Sequence, residues 1–556
     1  MKAFCSSKGL VGLVVLLAVA LAACPLVFAS EGEFKIKSED GNTYRVGAQL
    51  RMIPTAENDW DFGLGTTTVF APLGGVDVNF KRHTTEAGTV AQGYIRTEAR
   101  LYFTGEDKDK KWDLYTALEF DSAVDQDNVD RRGRDYGLER LHGSVAIPGL
   151  EQVRFHAGWD IYYLDAVDAG AGFIYGDDDP GFWLTGDFDS IEFQLGYHKK
   201  VESNFASRDE ADFLNKTAGV KADQDRDILS AMISYNINDD NQIRFMGAYD
   251  LMKTRTDTTS VYGTPPPPGG FGTTDKGAEV ETYRVGILYK GKIGIVEPEA
   301  EIAYQGGEAN NAVNEFGDLP NGSDDDYDIK AYALYADVAV NLTDVVGFKV
   351  IPHVGFMYTS GDDDPDDNDL EGYTAVANAQ RFTPRFGGED TIVGDGNTLL
   401  GTILYGYLPE LYGNLGGTQE FGGVATGGLA NGSKGGRGDN PGMTLIGGGV
   451  EISPWEFLSY RTNFMWIECN EDFYVNSTAP PAALGGVDPS VKVDSGTMGQ
   501  QWSNSLRVSL NKNVHIFGNV TFFWPGDVVK DVTKDVYGEK ADDVAQRYAV
   551  ALIWRF

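Results

Sequence analysis

The chain has 556 residues and sets 46 Lys and Arg against 83 Asp and Glu, a formal net charge of −37. That balance excludes DNA or RNA as the main partner, because a polyanion would be repelled. The 69 glycines and the 12% aromatic content also exclude an acidic disordered chain, and suit a long β-protein rich in turns.

Residues 1–29 read as a signal peptide. Lys2 and Lys8 make a positive start, the run from Leu10 to Ala23 is the apolar middle, and Val27-Phe28-Ala29 is a small-residue cleavage site. Leu21-Ala22-Ala23-Cys24 offers a competing lipoprotein box that would leave Cys24 lipidated. Either route takes the chain out of the cytoplasm. No later stretch approaches the roughly 18 consecutive apolar residues of a membrane helix. Cys469 would stand alone in the mature chain, so the chain offers no intrachain disulfide and no cysteine-based zinc site. Residues 30–41 form an N-terminal periplasmic segment, in which Phe34–Ser38 is either an extra short strand or a hairpin arm ending at Asp40-Gly41.

From residue 42 to 556 the dominant signal is alternation with period two, the signature of strands whose faces meet different environments. Tyr44, Val46, Ala48, Leu50 and Met52 alternate with Arg45, Gly47, Gln49 and Arg51. The pattern recurs at Ile95–Phe103, Trp112–Phe120, Tyr332–Val340, Val346–Phe356, Leu458–Trp466 and Val514–Trp524. These segments are longer than ordinary strands and suit tilted membrane-crossing strands. Connections alternate between short polar turns, such as Glu106–Lys111 and Asn238–Asn241, and long loops, such as 201–225 and 360–441. Short turns at one rim and long loops at the other describe a transmembrane antiparallel β-barrel with short periplasmic turns and long extracellular loops. The pattern predicts 18 strands, at about 42–52, 93–105, 111–121, 136–147, 153–161, 181–188, 190–200, 226–237, 242–251, 279–290, 294–305, 328–341, 345–359, 442–453, 456–468, 500–511, 514–524 and 544–556. The weakest is 181–188, and sixteen strands is the alternative.

At the chain end Tyr548, Val550, Leu552, Trp554 and Phe556 alternate up to a terminal phenylalanine. This resembles the C-terminal strand of outer-membrane porins, which the barrel-assembly machinery reads. Tyr94–Phe103, Lys111–Asp121, Leu138–Gly149 and Val153–Trp159 resemble the early strands of trimeric Gram-negative porins. Gly181–Tyr197 resembles the strand pair after the inward-folded third loop of that family. The resemblance implies an outer-membrane diffusion channel, a homotrimer, and contact with outer-membrane lipid and lipopolysaccharide. The chain departs from the pattern in its length and in the stretch 360–441, which bears on strand number and on how open the pore is.

A barrel of this size encloses a water-filled lumen whose inward residues set permeability. Parity turns Arg45, Arg51, Arg96 and Arg100 inward on adjacent strands, and Arg140 and Arg154 continue the row. Arg244, Arg284, Arg461 and Arg507 share the inward parity elsewhere. An arginine on the lipid face would cost about 2–4 kcal/mol at the midplane, which favours inward. The segment Tyr162–Asp179 is the expected constriction loop, with Asp165, Asp168, Asp177, Asp178 and Asp179 facing the arginine row across a transverse field. The bland alternative is that the arginines are salt-bridged wall residues and the loop a solvated rim. In the second acidic run Asp362, Asp364, Asp366 and Asp369 offer oxygen ligands for a structural calcium ion, against the reading of a solvated acidic rim. The spacing does not match an EF-hand. No other cofactor is implied. The six histidines form no close metal pair in sequence, and no motif nominates catalysis, so the chain is read as a non-enzyme.

The function expected is passive diffusion of small hydrophilic solutes and ions through a water-filled pore narrowed by an inward acidic loop. The alternative is a substrate-specific outer-membrane channel, selective for anions or sugars, helped by inward Tyr102, Tyr115, Tyr335, Phe517 and Phe523.

Overall fold

The computed structural model describes residues 34–59, 62, 92–124, 135–165, 173–177, 179–201, 226–253, 279–310, 327–364, 369–373, 441–476, 490–537, 540 and 542–556. The signal peptide with Cys24, and residues 374–440 of the long loop, lie outside them.

Eighteen long strands form the wall. They are β1 (Thr43–Asn58), β2 (Gln92–Glu106), β3 (Trp112–Val124), β4 (Asp135–Ile147), β5 (Leu150–Trp159), β6 (Gly181–Phe188), β7 (Ile191–Val201), β8 (Arg226–Asn238) and β9 (Asn241–Lys253). They continue as β10 (Glu279–Lys290), β11 (Val296–Asn310), β12 (Tyr327–Val340), β13 (Lys349–Thr359), β14 (Met443–Trp455), β15 (Leu458–Cys469), β16 (Gly496–Ser509), β17 (Val514–Pro525) and β18 (Ala545–Arg555). Each pairs antiparallel with its neighbours in sequence, and β1 also pairs with β18 from Gln49↔Arg555 to Asn58↔Gln546, which closes the barrel. The sixteen-strand alternative therefore falls, and Gly181–Phe188 is a full member of the wall.

The closure has a seam. Ala48 and Phe556 exchange backbone hydrogen bonds of 3.2 and 2.8 Å, and there the C-terminal strand ends. Below it the short strand Phe34–Lys37 takes over the edge of β1, from Phe34↔Val46 to Lys37↔Thr43. Phe34–Lys37 is therefore at once the extra short strand and the first arm of a hairpin that turns through Asp40-Gly41, with the Gly41 N–H on the Ser38 carbonyl at 3.0 Å, and no edge of β1 is left unpaired along this run.

The alternation seen in sequence is the inside–outside alternation of the wall. In β8, Leu229, Ile233 and Tyr235 are exposed outward, while Ile228, Ser230, Met232 and Ser234 are buried inward. Around the barrel the exposed large side chains, from Leu101 and Leu118 through Phe245, Ile302 and Val354 to Trp466 and Trp502, share the outward face. An apolar outward band on a closed barrel is the wall of an outer-membrane protein.

Three local readings change. β1 runs on to Asn58, because backbone pairing with β2 continues past Ile53-Pro54, where the side-chain alternation breaks. Residues 345–348 do not begin β13. Thr343–Val346 forms one helical turn, which Gly347 ends at φ 86° with its N–H on the Thr343 carbonyl. The long connection after β17 contains a helix, Asp527–Tyr537, whose buried Val528, Val529 and Thr533 lie against the wall near β16.

Leu118 is 52% exposed on the lipid face of β3. Leu118→Arg is expected to destabilise the folded barrel by about 2–4 kcal/mol. Urea titration in lipid vesicles, read by the heat-dependent gel shift of folded barrels, checks it. Unchanged stability would contradict the assignment of this face to lipid.

Candidate functional site

On β1–β5 the inward arginines are held by carboxylates of the wall itself. Arg51 Nη1 donates to Glu98 Oε2 at 2.7 Å, and Arg45 reaches Glu106 at 3.4 Å. Arg100 binds Glu119 and lies 3.5 Å from Glu139. Arg140 lies 3.4 Å from Glu139 and 3.7 Å from Asp160, and Arg154 binds Asp113 at 2.5 Å and also Ser144. The cause is local geometry. Glu98 and Glu119 stand directly across from Arg51 and Arg100 on the next strand, where neighbours on one face sit within about 5.5 Å, while Arg154 reaches over β4 to Asp113 and Arg140 lies near Glu139 of its own strand. The backbone of Arg96 lies in β2, and nothing is described of its side chain.

The segment after β5 turns onto the inner face of β6–β11. Tyr162–Tyr163 pairs with Gly176–Asp177 as a miniature hairpin. The Tyr162 hydroxyl bonds Ser230 on β8 at 2.7 Å, and Arg244 on β9 donates to the Leu164 carbonyl at 2.7 Å. On β10, a Cβ added at Gly286 would come within 3.0 Å of Ile174 Cδ1, so glycine makes room for the loop. Leu164, Phe173, Ile174 and Tyr175 are fully buried. From the other side the Tyr373 hydroxyl donates to the Phe173 carbonyl at 2.5 Å, which ties the segment 369–373 to the same loop.

The loop carboxylates do not all face the arginine row, as the sequence reading expected. Asp165 is fully buried and accepts from the Ile174 N–H at 2.8 Å, with Glu301 and Arg244 as its charged neighbours. It is drawn there because the loop lies against β9–β11, across the lumen from β1–β3. Burial pushes its carboxyl up from the ordinary range. Asp179 accepts from the Tyr175 hydroxyl at 3.0 Å. Only the backbone of Asp177 is described, and Asp168 and Asp178 lie outside the described residues.

Beneath the loop Arg284, which parity turns inward, meets two residues that sequence inspection did not single out, Arg226 and Asp250. Arg226 makes a two-point bond to Asp250 at 2.9 and 2.6 Å, with Arg284 at 3.8 Å, all three buried. The register that sets Arg226 two residues along from Ile228, the residue opposite Asp250 and on the same face, appears only once β8 and β9 are paired. Beside the loop root, His142 and His156 meet at 3.0 Å and stack with Trp183, which in turn stacks on His198. These histidines are far apart in sequence and converge only because β4–β7 are adjacent. Of the calcium candidates, Asp369 Oδ1 is bound by Lys330 at 3.0 Å, Asp362 is buried, Asp364 is exposed, and Asp366 lies outside the described residues. Among the described residues no group of three or more His, Cys, Asp or Glu is arranged to hold a metal ion.

No protein-family model matches the chain, and no curated protein matches it. Solved structures similar to it come from Pseudomonas aeruginosa. OccK5 (OpdH) is 12% identical, with a TM-score of 0.41, covering 92% of this chain and 98% of that one. The outer membrane protein OpdK is 8% identical at TM-score 0.43, and OccK9 (OpdG) 10% identical at 0.43, with the same two coverages. The closed register and the apolar outer band are themselves sufficient to show an outer-membrane β-barrel of eighteen strands.

Two predictions follow from the buried groups. Arg226→Met leaves Asp250 buried beside a single, more distant cation, and should cost about 3–5 kcal/mol. Thermal unfolding in detergent measures it, and Arg226→Met with Asp250→Leu should recover most of the loss. For Asp165 the folded-state value lies above the unfolded value of about 3.9, so the docked loop binds more protons than the undocked one. Docking should therefore be strongest at acid pH and weaken as pH rises through the folded value. Protease sensitivity of the loop against pH tests this, and Asp165→Asn should flatten the profile.

Proposed function

We propose that the chain is a channel for passive diffusion of small hydrophilic solutes and ions, with its water path running beside β1–β5 and narrowed by residues 162–179. One contrast supports this reading. Most of the inward arginines on β1–β5 keep contact with water, the side chains of Arg51, Arg100 and Arg154 being 30%, 28% and 24% exposed against 10% for Arg140, whereas those of Arg226 and Arg284 beneath the loop are 2% and 0% exposed. Ion pairs that stay wet are what a polar permeation path needs, and a wall covered by a packed loop excludes water from the other side.

A second reading, selectivity for anions, draws on the lower lumen. Arg507 is exposed on the inner face of β16 and has no hydrogen bond or ion pair among the described residues. Its neighbours on the inner face include Arg461 on β15, His515 on β17 and Arg555 on β18. Charge on the path outweighs remote loop charge, which salt screens beyond about 8–10 Å.

The test is single-channel conductance of purified protein in planar bilayers under a salt gradient. Stable ohmic openings with a mild anion preference are expected, and Arg507→Ser should shift the reversal potential toward cations. Absence of conductance, or block by one solute at micromolar levels, would overturn the general-diffusion reading.

A further inference from the structure

The wall brings together two histidines that sequence spacing keeps apart. Leu141 and Phe155 are exposed on the lipid face, which turns their chain neighbours His142 on β4 and His156 on β5 to the lumen. His142 Nε2 and His156 Nδ1 lie 3.0 Å apart, with the ring planes within 10° of each other. The nitrogens on the far sides are held as well. His142 Nδ1 lies 3.5 Å from Asp160 Oδ2, and His156 Nε2 lies 2.9 Å from Thr185 Oγ1 on β6. The Trp183 indole lies nearly parallel to both rings, within 14° of His142 and 6° of His156. Both imidazoles keep part of their surface open to water.

A histidine that ligates a metal gives its other ring N–H to an oxygen acceptor, which fixes tautomer and direction. Here each outer nitrogen has such an acceptor, and the two inner nitrogens face each other. Two cis ligands at a metal–nitrogen distance of about 2.0–2.1 Å stand about 2.9–3.4 Å apart, and the 3.0 Å gap falls within that bite. Without an ion the gap holds one N–H···N bond. To admit an ion, His156 carries its proton on Nε2, where Thr185 accepts it, and each ring turns about χ2, a soft torsion for histidine. Local charge allows a cation. Arg154 is bound to Asp113, and Arg140 lies between Glu139 and Asp160, so each positive neighbour already faces a carboxylate. Imidazole ligands suit late transition metals, whereas calcium and magnesium need oxygen. Two protein ligands, with water in the remaining positions, make a site for an exchangeable ion, not a structural one, which takes four.

We propose that His142 and His156 chelate a divalent transition-metal ion of the copper, nickel or zinc kind from the lumen, with Asp160 and Thr185 orienting the two rings. The ion sits beside the wet pair Arg154–Asp113 and adds positive charge to the inner wall of β4 and β5.

The test uses the whole barrel, purified from outer membranes in mild detergent without an affinity tag, and Cu²⁺ alone as the probe. Equilibrium dialysis should give one tightly held Cu²⁺ per chain, and its electron paramagnetic resonance spectrum should show coupling to two imidazole nitrogens. His142→Gln and His156→Gln should each remove that spectrum while the heat-dependent gel shift shows the barrel still folded. Asp160→Asn should keep both nitrogens and weaken binding about tenfold, as expected of a residue that only orients a ligand. Absence of stoichiometric copper, a spectrum without two nitrogen couplings, or copper binding unchanged in His142→Gln or His156→Gln would each overturn the proposal. None of these readouts depends on whether the barrel conducts, which the bilayer recording decides separately.

Discussion

The bilayer interior offers backbone amides no water, and every other feature of this chain follows from that constraint. An open sheet would leave a row of unpaired N–H and C=O groups in hydrocarbon, each costing several kcal/mol. The wall therefore has to close, and closure requires the first and last strands to meet in register. They do so at Gln49↔Arg555, with Phe556 bonded to Ala48. The strand Phe34–Lys37 then fills the edge that the C-terminus leaves, so closure is completed by a segment outside the eighteen.

Closure also creates an interior, and the interior has two chemistries. On β1–β5 charged side chains pair along and across the wall, and Arg51, Arg100 and Arg154 remain partly in water. On β7–β11 a second layer, the loop after β5, covers the wall and buries what lies beneath. A buried pair such as Arg226–Asp250 is tolerated only because its geometry is two-pointed and its neighbours are polar; removing one partner is far worse than removing both. The loop in turn is held by hydrogen bonds to single inward positions on successive strands, Ser230 and Arg244, and by the room left at Gly286. Its position is a property of the strand register.

The wall was legible in the sequence because a side-chain period of two, once one face meets lipid, specifies register and orientation together. The short strand 181–188 was the weakest in the sequence, because Phe182-Trp183-Leu184 interrupts the alternation, and the even strand count and the placing of the long loop 201–225 are what supported it. What lay beyond reach was whatever depends on pairing between distant strands. Arg226 and Asp250 are 24 residues apart, and His142, His156 and His198 lie on three different strands, so no spacing rule finds them. The helix Asp527–Tyr537 was missed for another reason. Its pattern of Val and Asp or Lys is short, and lies in a connection already classed by length as a loop. The direction in which Asp165 turns was misjudged because composition suggests a field between loop and wall, whereas the arginines had already found closer carboxylates.

That last point bears on how the charge of −37 should be understood. A chain so acidic would be expected to favour cations if its charge acted as a whole. Within the described lumen, however, carboxylates and arginines cancel pair by pair on β1–β5, and a neutralised ladder contributes dipoles more than net potential. Selectivity then falls to the charge that is left over on the path, and Arg507, beside Arg461, His515 and Arg555, is such a charge. Because salt screens the outer loops over about one Debye length, the few unpaired groups inside the wall act on a permeating ion more strongly than the many outside it.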